Sequence, residues 1–129
     1  DGPLDYLLLS HGHTDHVGLV PAALRHWPHL KILATEETKE ISKTVWWQTI
    51  YRYQKKNRFI SSKMPIPAPF TKDEMLAAEK AIVVIAPDKT VELGGEIKVT
   101  PICAGHILGA VSYRIDFANN RNDKEILCL

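Results

Sequence analysis

Ser10-His11-Gly12-His13-Thr14-Asp15-His16 is the stretch from which the rest of the chain is read. Four side chains able to ligate a metal, His11, His13, Asp15 and His16, fall within six residues in the pattern H-x-H-x-D-H. The apolar run Leu7-Leu8-Leu9 precedes them, and Val17-Gly18-Leu19-Val20-Pro21 follows. In extended chain alternate side chains point the same way, so a strand feeding a tight loop aims His11 and His13 at one point. Asp15 and His16, one step further round the loop, reach a second point a few ångströms away. Imidazole nitrogens and a carboxylate are the borderline ligands that zinc prefers.

Working outward, residues 5–10 read as a short buried strand behind Pro3. Asp5 opens it and is either a solvated strand end or a carboxylate orienting a ligand imidazole from behind. Residues 17–27 read as a helix with Val17, Val20, Leu24 and Trp27 on one face, ended by Pro28. His26 and His29 read as surface residues near that helix end. Residues 30–34 form a second strand. Thr35 is placed to cap a long helix reaching about residue 56, with Glu36 and Glu37 in its first turn, where the helix dipole favours them.

From Ile41 to Lys72 the chain has no acidic residue but carries Lys43, Arg52, Lys55, Lys56, Arg58, Lys63 and Lys72 among aromatics. Basic residues interleaved with aromatics can track a phosphate backbone and stack on bases. The plainer reading makes the aromatics core, the Trp residues above all, and the charges a solvated face.

Thr71-Lys72-Asp73-Glu74 is a capping box that opens a helix to about Ala81. The apolar run 82–85 follows. Gly94-Gly95 between two β-like runs signals a two-residue hairpin. Val111, Tyr113, Ile115 and Phe117 alternate with polar residues as a half-buried strand, and 124–129 returns after a turn at 119–123. Between these lies Ala104-Gly105-His106-Ile107-Leu108-Gly109-Ala110. H-x-H gives a first ion only two protein ligands, whereas catalytic zinc commonly takes three and leaves one position open. His106, in a glycine-flanked turn after a strand, is the candidate third.

The totals fit one globular domain: 129 residues, 45% apolar, 24% charged, net charge +1. Cys103 and Cys128 make no disulfide framework, so a reducing compartment is the simpler reading. No apolar run is long enough to span a bilayer. The chain begins without Met and ends on Ile126-Leu127-Cys128-Leu129, so it reads as a piece of a longer domain.

The H-x-H-x-D-H motif resembles the signature of the metallo-β-lactamase superfamily. Ala104–Ala110 resembles the third-histidine motif of its β-CASP branch, especially the RNA-processing endonucleases related to the cleavage and polyadenylation specificity factor. Thr35-Glu36-Glu37-Thr38 is similar to the T-x-x-T after the second strand of those proteins, and the Phe70–Asp73 segment also looks like theirs.

The resemblance implies an α/β (α+β) fold, part of a four-layer αββα sandwich, with residues 1–129 forming a partial domain. It places the N-terminal strand pair, a metal-bridging Asp and the β-CASP cap outside the chain. It implies two Zn²⁺ ions per intact site, with His11, His13 and His106 on the first and Asp15 and His16 on the second. Asp15 and His16 also become the catalytic candidates, Asp15 through contact with the attacking water. The implied activity is zinc-dependent phosphodiester hydrolysis by a nuclease that processes RNA, in the cytoplasm or, in a eukaryote, the nucleus. Lacking the bridging carboxylate, this piece alone is expected to be inactive. Two alternatives stay open: a small-molecule hydrolase of thioesterase or lactonase type, and a non-catalytic scaffold.

Overall fold

In the computed structural model, which describes residues 4–59, 65–118 and 124–128, the middle strand of a small parallel sheet organises the packing. The sheet has the order β1 (Tyr6–Leu8), β2 (Lys31–Ala34), β3 (Ile82–Val84). Registers Leu7↔Ile32↔Ile82 and Leu8↔Leu33↔Val83 run through it. Residues Ile32, Leu33 and Ala34 are all buried, as expected of a parallel strand covered on both faces.

The two faces of β2 serve different clusters. Ile32 and Ala34 pack with Val17, Val20, Leu24, Trp46, Ile50, Phe70, Met75 and Ala78, residues drawn mostly from the helices. Leu33 faces the other way, onto Val99, Val111 and Tyr113 of a second sheet. That sheet is antiparallel, in the order β4 (Val91–Gly94), β5 (Ile97–Cys103), β6 (Val111–Ala118), β7 (Lys124–Cys128). The layers are therefore helix, sheet, sheet. Among the described residues all four helices join the first cluster, and none supplies a layer outside the second sheet.

The helices are α1 (Thr14–Val17), α2 (Val20–Ala23), α3 (Glu36–Phe59) and α4 (Lys72–Ala81). The single helix expected over 17–27 is thus two short pieces that start earlier, at Thr14, and the reason is local. Pro21 has no N–H to donate to the Val17 carbonyl. The Trp46 indole Nε1–H fills that role instead, at 2.7 Å. The apolar face survives the break: Val17, Val20 and Leu24 are buried.

Helix α3 begins at Glu36 as expected, with the Thr38 amide donating to Thr35 Oγ1 at 3.2 Å. Trp46 is fully buried on it, but Trp47 is 45% exposed, so the expectation that the Trp residues are core holds for one neighbour and fails for the other. Successive helix positions point about 100° apart, and Trp46 with Ile50 already fills the core side. The capping box at Thr71 and Glu74 forms as read from sequence. The hairpin turn is displaced by one residue. Gly94 pairs with Ile97, leaving Gly95 (φ 57°) and Glu96 (φ 66°) as the two left-handed turn residues. The expected turn at 119–123 lies outside the described residues.

Candidate metal centre

Two loops build the site, and both leave strand ends at the same edge of the layered sheets. The first is the five-residue stretch 9–13 between β1 and α1. Leu9 N donates to Leu33 O, which keeps the chain on the sheet up to Leu9. The Ser10 carbonyl then accepts from Val111 N at 2.8 Å, crossing to the second sheet. His11 and His13 follow with Gly12 between them, and His13 precedes the first turn of α1 with its carbonyl accepting from the His16 and Val17 amides.

The second loop joins β5 to β6 and carries His106. Its turn is closed by Ala104 N to Ala110 O, 3.0 Å, and Ala110 N to Ile107 O, 2.9 Å. Gly109, at φ 77°, aims its carbonyl at the start of α3. There it accepts from Thr35 Oγ1 at 2.7 Å and Thr38 Oγ1 at 3.1 Å, both on fully buried residues. The two threonines of the T-x-x-T segment therefore clamp the third-histidine loop. Tyr113, buried three residues beyond that loop's end, donates its hydroxyl to Leu9 O at 2.8 Å and to Leu33 O at 3.2 Å. It ties β6 to the strand that delivers His11, and burial pushes its phenol pKa up.

These anchors bring three imidazoles together. The candidate ligand atoms of His11, His13 and His106 all lie within 4.8 Å of one another. His11 Nε2 stands 3.0 Å from His13 Nδ1, and His106 Nε2 stands 3.3 Å from the same Nδ1. Ligand atoms about 2.0–2.1 Å from a tetrahedral ion are separated by roughly 3.3 Å. The rings meet nearly at right angles, 83°, 88° and 79° for the three pairs, so their nitrogens converge without the rings stacking. The donor set suits a zinc ion, and two of the three nitrogen pairs stand near that tetrahedral separation.

His11 is the most enclosed of the three. Its burial, then the His16, His13 and His106 rings, hold its pKa below the usual histidine range, against an upward pull from Asp15. The neutral ring is the form that ligates a metal. Ser10 Oγ lies 3.0 Å from His11 Nδ1. In the tautomer that leaves Nε2 free to ligate, Nδ1 carries the proton and donates to that hydroxyl, which holds the ring plane.

The other expected site residues fall as follows. The His16 ring lies 4.0 Å, centroid to centroid, from His11, and its Nε2 is 3.7 Å from Asp15 Oδ2. Both sit beside the three-histidine point in the first turn of α1, exposed to solvent. Asp5 goes elsewhere. It stands at the opposite end of β1 from the histidine loop, with its carboxylate 3.8 Å from His29 Nε2. Among the described residues no contact joins Asp5 to the cluster. Sequence reasoning missed the work of Ser10, Thr38, Gly109 and Tyr113. Each contributes through a hydrogen bond to a residue distant in sequence or to a neighbour's ring, and only the T-x-x-T spacing left a trace.

Comparison with known proteins adds the following. The description of the metallo-beta-lactamase superfamily matches residues 1–119. The chain is 31% identical over 116 residues to endoribonuclease ysh1 of Schizosaccharomyces pombe, covering 89% of this chain and 14% of that protein. It is 27% identical over 114 residues to transcription termination factor FttA of Lokiarchaeum sp. (strain GC14_75), covering 88% of this chain and 17% of that one. Among solved structures it is similar to MEM-A1, a subclass B3 metallo-beta-lactamase from a soil metagenome library. That likeness has a TM-score of 0.56 at 20% identity, over 96% of this chain and 40% of the other. MIM-1 from Novosphingobium pentaromativorans gives a TM-score of 0.53 at 14% identity, over 96% and 39%. At such identities the structural likeness speaks to the fold alone. The chain spans between 14% and 17% of the length of these two named relatives.

Proposed function

The chain belongs to the metallo-beta-lactamase superfamily, and from that premise we propose that it is part of a zinc-dependent phosphodiester hydrolase of the β-CASP type that cuts RNA. The observation that carries this reading is the convergence of His11, His13 and His106 across 93 positions of sequence. The Ala104–Ala110 context of His106 and the names of the relatives, an endoribonuclease and a transcription termination factor, support nucleic acid as the substrate.

In this reading His11 Nε2, His13 Nδ1 and His106 Nε2 hold a first ion, and Asp15 and His16 contribute to a second. Zinc bound there supplies Lewis acidity, which lowers the pKa of water toward about 7 and offsets charge developing on phosphoryl oxygens. Ser10 keeps the His11 ring turned to the cluster. Asp15 is the acceptor that orients the attacking water through its carboxylate oxygens. His16, beside both Asp15 and His11, holds that carboxylate in place. The reading places the protein in the cytoplasm, or in the nucleus of a eukaryote. No helix of the described residues is long and apolar enough to cross a membrane.

The test measures zinc stoichiometry and the hydrolysis of labelled RNA, a thioester and a lactone, on the 129-residue chain and on a version extended at both ends. We expect bound zinc that falls sharply in His106→Ala, and RNA cleavage by the extended form only. Thioester or lactone turnover without RNA cleavage would reassign the site to small-molecule hydrolysis. Zinc binding with no turnover of any substrate would make the protein a scaffold.

A further inference from the structure

The metal centre leaves one chemically distinctive surface unused: the side of α3 turned away from the core. Trp47, Tyr51, Lys55 and Arg58 follow one another at steps of four, four and three, so they form one stripe along the helix. Trp47 is 45% and Tyr51 63% exposed, and Lys55 and Arg58 are exposed too. The Lys72 ammonium sits over the Trp47 ring, 5.3 Å from its centroid. Tyr51, Gln54, Lys55 and Arg58 line a shallow depression of about 160 Å³.

Charge is segregated along the helix. The carboxylates of Glu40 and Glu79 are both drawn to Lys43, at 3.0 and 3.1 Å. Beyond Ile41 no acidic residue occurs until Asp73. Among the described residues none of Arg52, Lys55, Lys56, Arg58 and Lys72 takes part in an ion pair. A merely solvated helix face mixes both signs and keeps large aromatics inward. Here Trp46 and Ile50 already fill the core side, so the outward rings are not needed for packing.

We propose that this stripe of Trp47, Tyr51, Lys55 and Arg58, with Lys72 beside it, binds single-stranded nucleic acid running away from the metal centre along α3. The proposal deepens the nuclease reading and rests on it for the direction of the strand. Helix α3 starts at the site, where Thr38 holds the His106 loop and Ile41 packs against Gly12. At 1.5 Å per residue, Trp47 lies about 9 Å along the axis from Ile41, and Arg58 roughly 16 Å further. Exposed rings stack on bases only where bases are unpaired, which selects single strand over duplex. Lys72, Lys55 and Arg58 meet the phosphates between them.

The test follows a short unstructured RNA by fluorescence anisotropy on the metal-free protein extended at both ends, with turnover of bis(p-nitrophenyl) phosphate measured separately on the zinc-loaded extended form. Trp47→Ala and Tyr51→Ala are each expected to weaken RNA binding about tenfold. Lys55→Glu should weaken it to a similar degree and flatten the log–log salt dependence by about 0.7. Lys89→Glu, the same charge change on a distant loop, should stay within twofold of the parent. Small-substrate turnover should be unchanged in all four. Unchanged RNA affinity in the Trp47, Tyr51 and Lys55 variants would overturn the track. Equal competition by polyphosphate and RNA, or a preference for duplex, would overturn its stacking component. Loss of RNA binding in these variants beside absent phosphodiester turnover in the extended parent would leave the track standing and remove the nuclease reading.

Discussion

The loop carrying His11 and His13 and the loop carrying His106 supply the same kind of atom to the same point, but they are held there differently. The first is held mainly by its own chain. Strand β1 delivers it, Ser10 fixes the His11 ring from one residue away, and the alternation of H-x-H places the second ring. The second closes its own turn, through Ala104 N to Ala110 O and Ala110 N to Ile107 O, but is docked from elsewhere. Its position depends on Gly109, whose carbonyl takes hydroxyls from Thr35 and Thr38, more than 70 residues earlier. A site assembled this way has one sturdy wall and one that is only as good as its tertiary anchors, so perturbations at the His106 loop should be the more damaging.

The largest effect is expected at Gly109. A Cβ there would stand 2.5 Å from Glu37 Cβ, 2.8 Å from Thr35 Oγ1 and 3.0 Å from Thr38 N, on a backbone already at φ 77°. Left-handed backbone costs an L residue about 1–2 kcal/mol and the crowding about 1–3 more. Gly109→Ala should therefore lose about 3 kcal/mol of stability in denaturant titration and at least tenfold in zinc affinity. Gly105→Ala separates the two causes. It shares the positive φ, at 65°, but its Cβ would meet nothing within 4 Å. It should lose only about 1–2 kcal/mol. Equal losses at the two glycines would mean that crowding against α3 does not hold the loop.

The local wall has tertiary dependences of its own, and testing one of them sharpens the contrast. A Cβ on Gly12 would stand 2.7 Å from Ile41 Cβ and closer still to its Cγ2. Gly12→Ala should cost about 2 kcal/mol, within the range for overpacking. Because Gly12 has no unusual φ, the double variant Gly12→Ala/Ile41→Ala should recover zinc affinity to within a few-fold of the parent. If it does not, the H-x-H loop fails for a reason other than room. No such rescue is available at Gly109, where a backbone amide is among the obstructing atoms.

How much of this was legible in the sequence follows the same division. H-x-H-x-D-H announced itself because ligands and spacing lie in one window, and the α4 capping box and the start of α3 at Thr35 did so too. His106 was found only through its glycine-rich context, since nothing local says where the loop will dock. The helix expected at 17–27 broke because Pro21 has no N–H for the Val17 carbonyl, whose hydrogen bond comes instead from Trp46, 29 residues on. The hairpin turn slipped by one residue because the pairing of Gly94 with Ile97 set it, leaving Glu96 in a left-handed conformation that sequence preference would give to glycine. Trp46 and Trp47 look alike in a hydrophobicity reading and differ only once the helix is given a core to face.

A smaller effect is expected from the clamp itself. Thr38→Val keeps the shape but removes the hydroxyl that donates to Gly109 O at 3.1 Å. Thr35 still holds the Gly109 carbonyl, so the loss should be about 1 kcal/mol, typical of one buried hydrogen bond. Zinc affinity should fall about fivefold, and Thr38→Ser should restore most of it. Stability lost without loss of zinc affinity would show that Thr38 serves the helix start alone.

The smallest effect belongs to a contact that should leave both walls untouched. Arg25 forks onto the Glu74 carboxylate while its Nη2 also donates to Pro69 O at 2.9 Å, and Thr71 N donates to Glu74 Oε2 at 2.7 Å. The Arg25 hydrogen bond, then the Thr71 amide, hold the Glu74 pKa at about 2. A carboxyl lowered on folding stabilises the fold above its unfolded pKa, near 4.5, and that contribution is lost as pH falls toward 2. Glu74→Gln should lower stability near neutral pH by about 1 kcal/mol or less, because the pair is partly screened by solvent. It should also flatten the decline in stability between pH 4.5 and 2. Zinc loss on acidification should be identical in parent and variant, since Glu74 touches none of the ligands. A shift in the zinc titration of Glu74→Gln would couple α4 to the centre and break the separation between the fold's acid response and the site's.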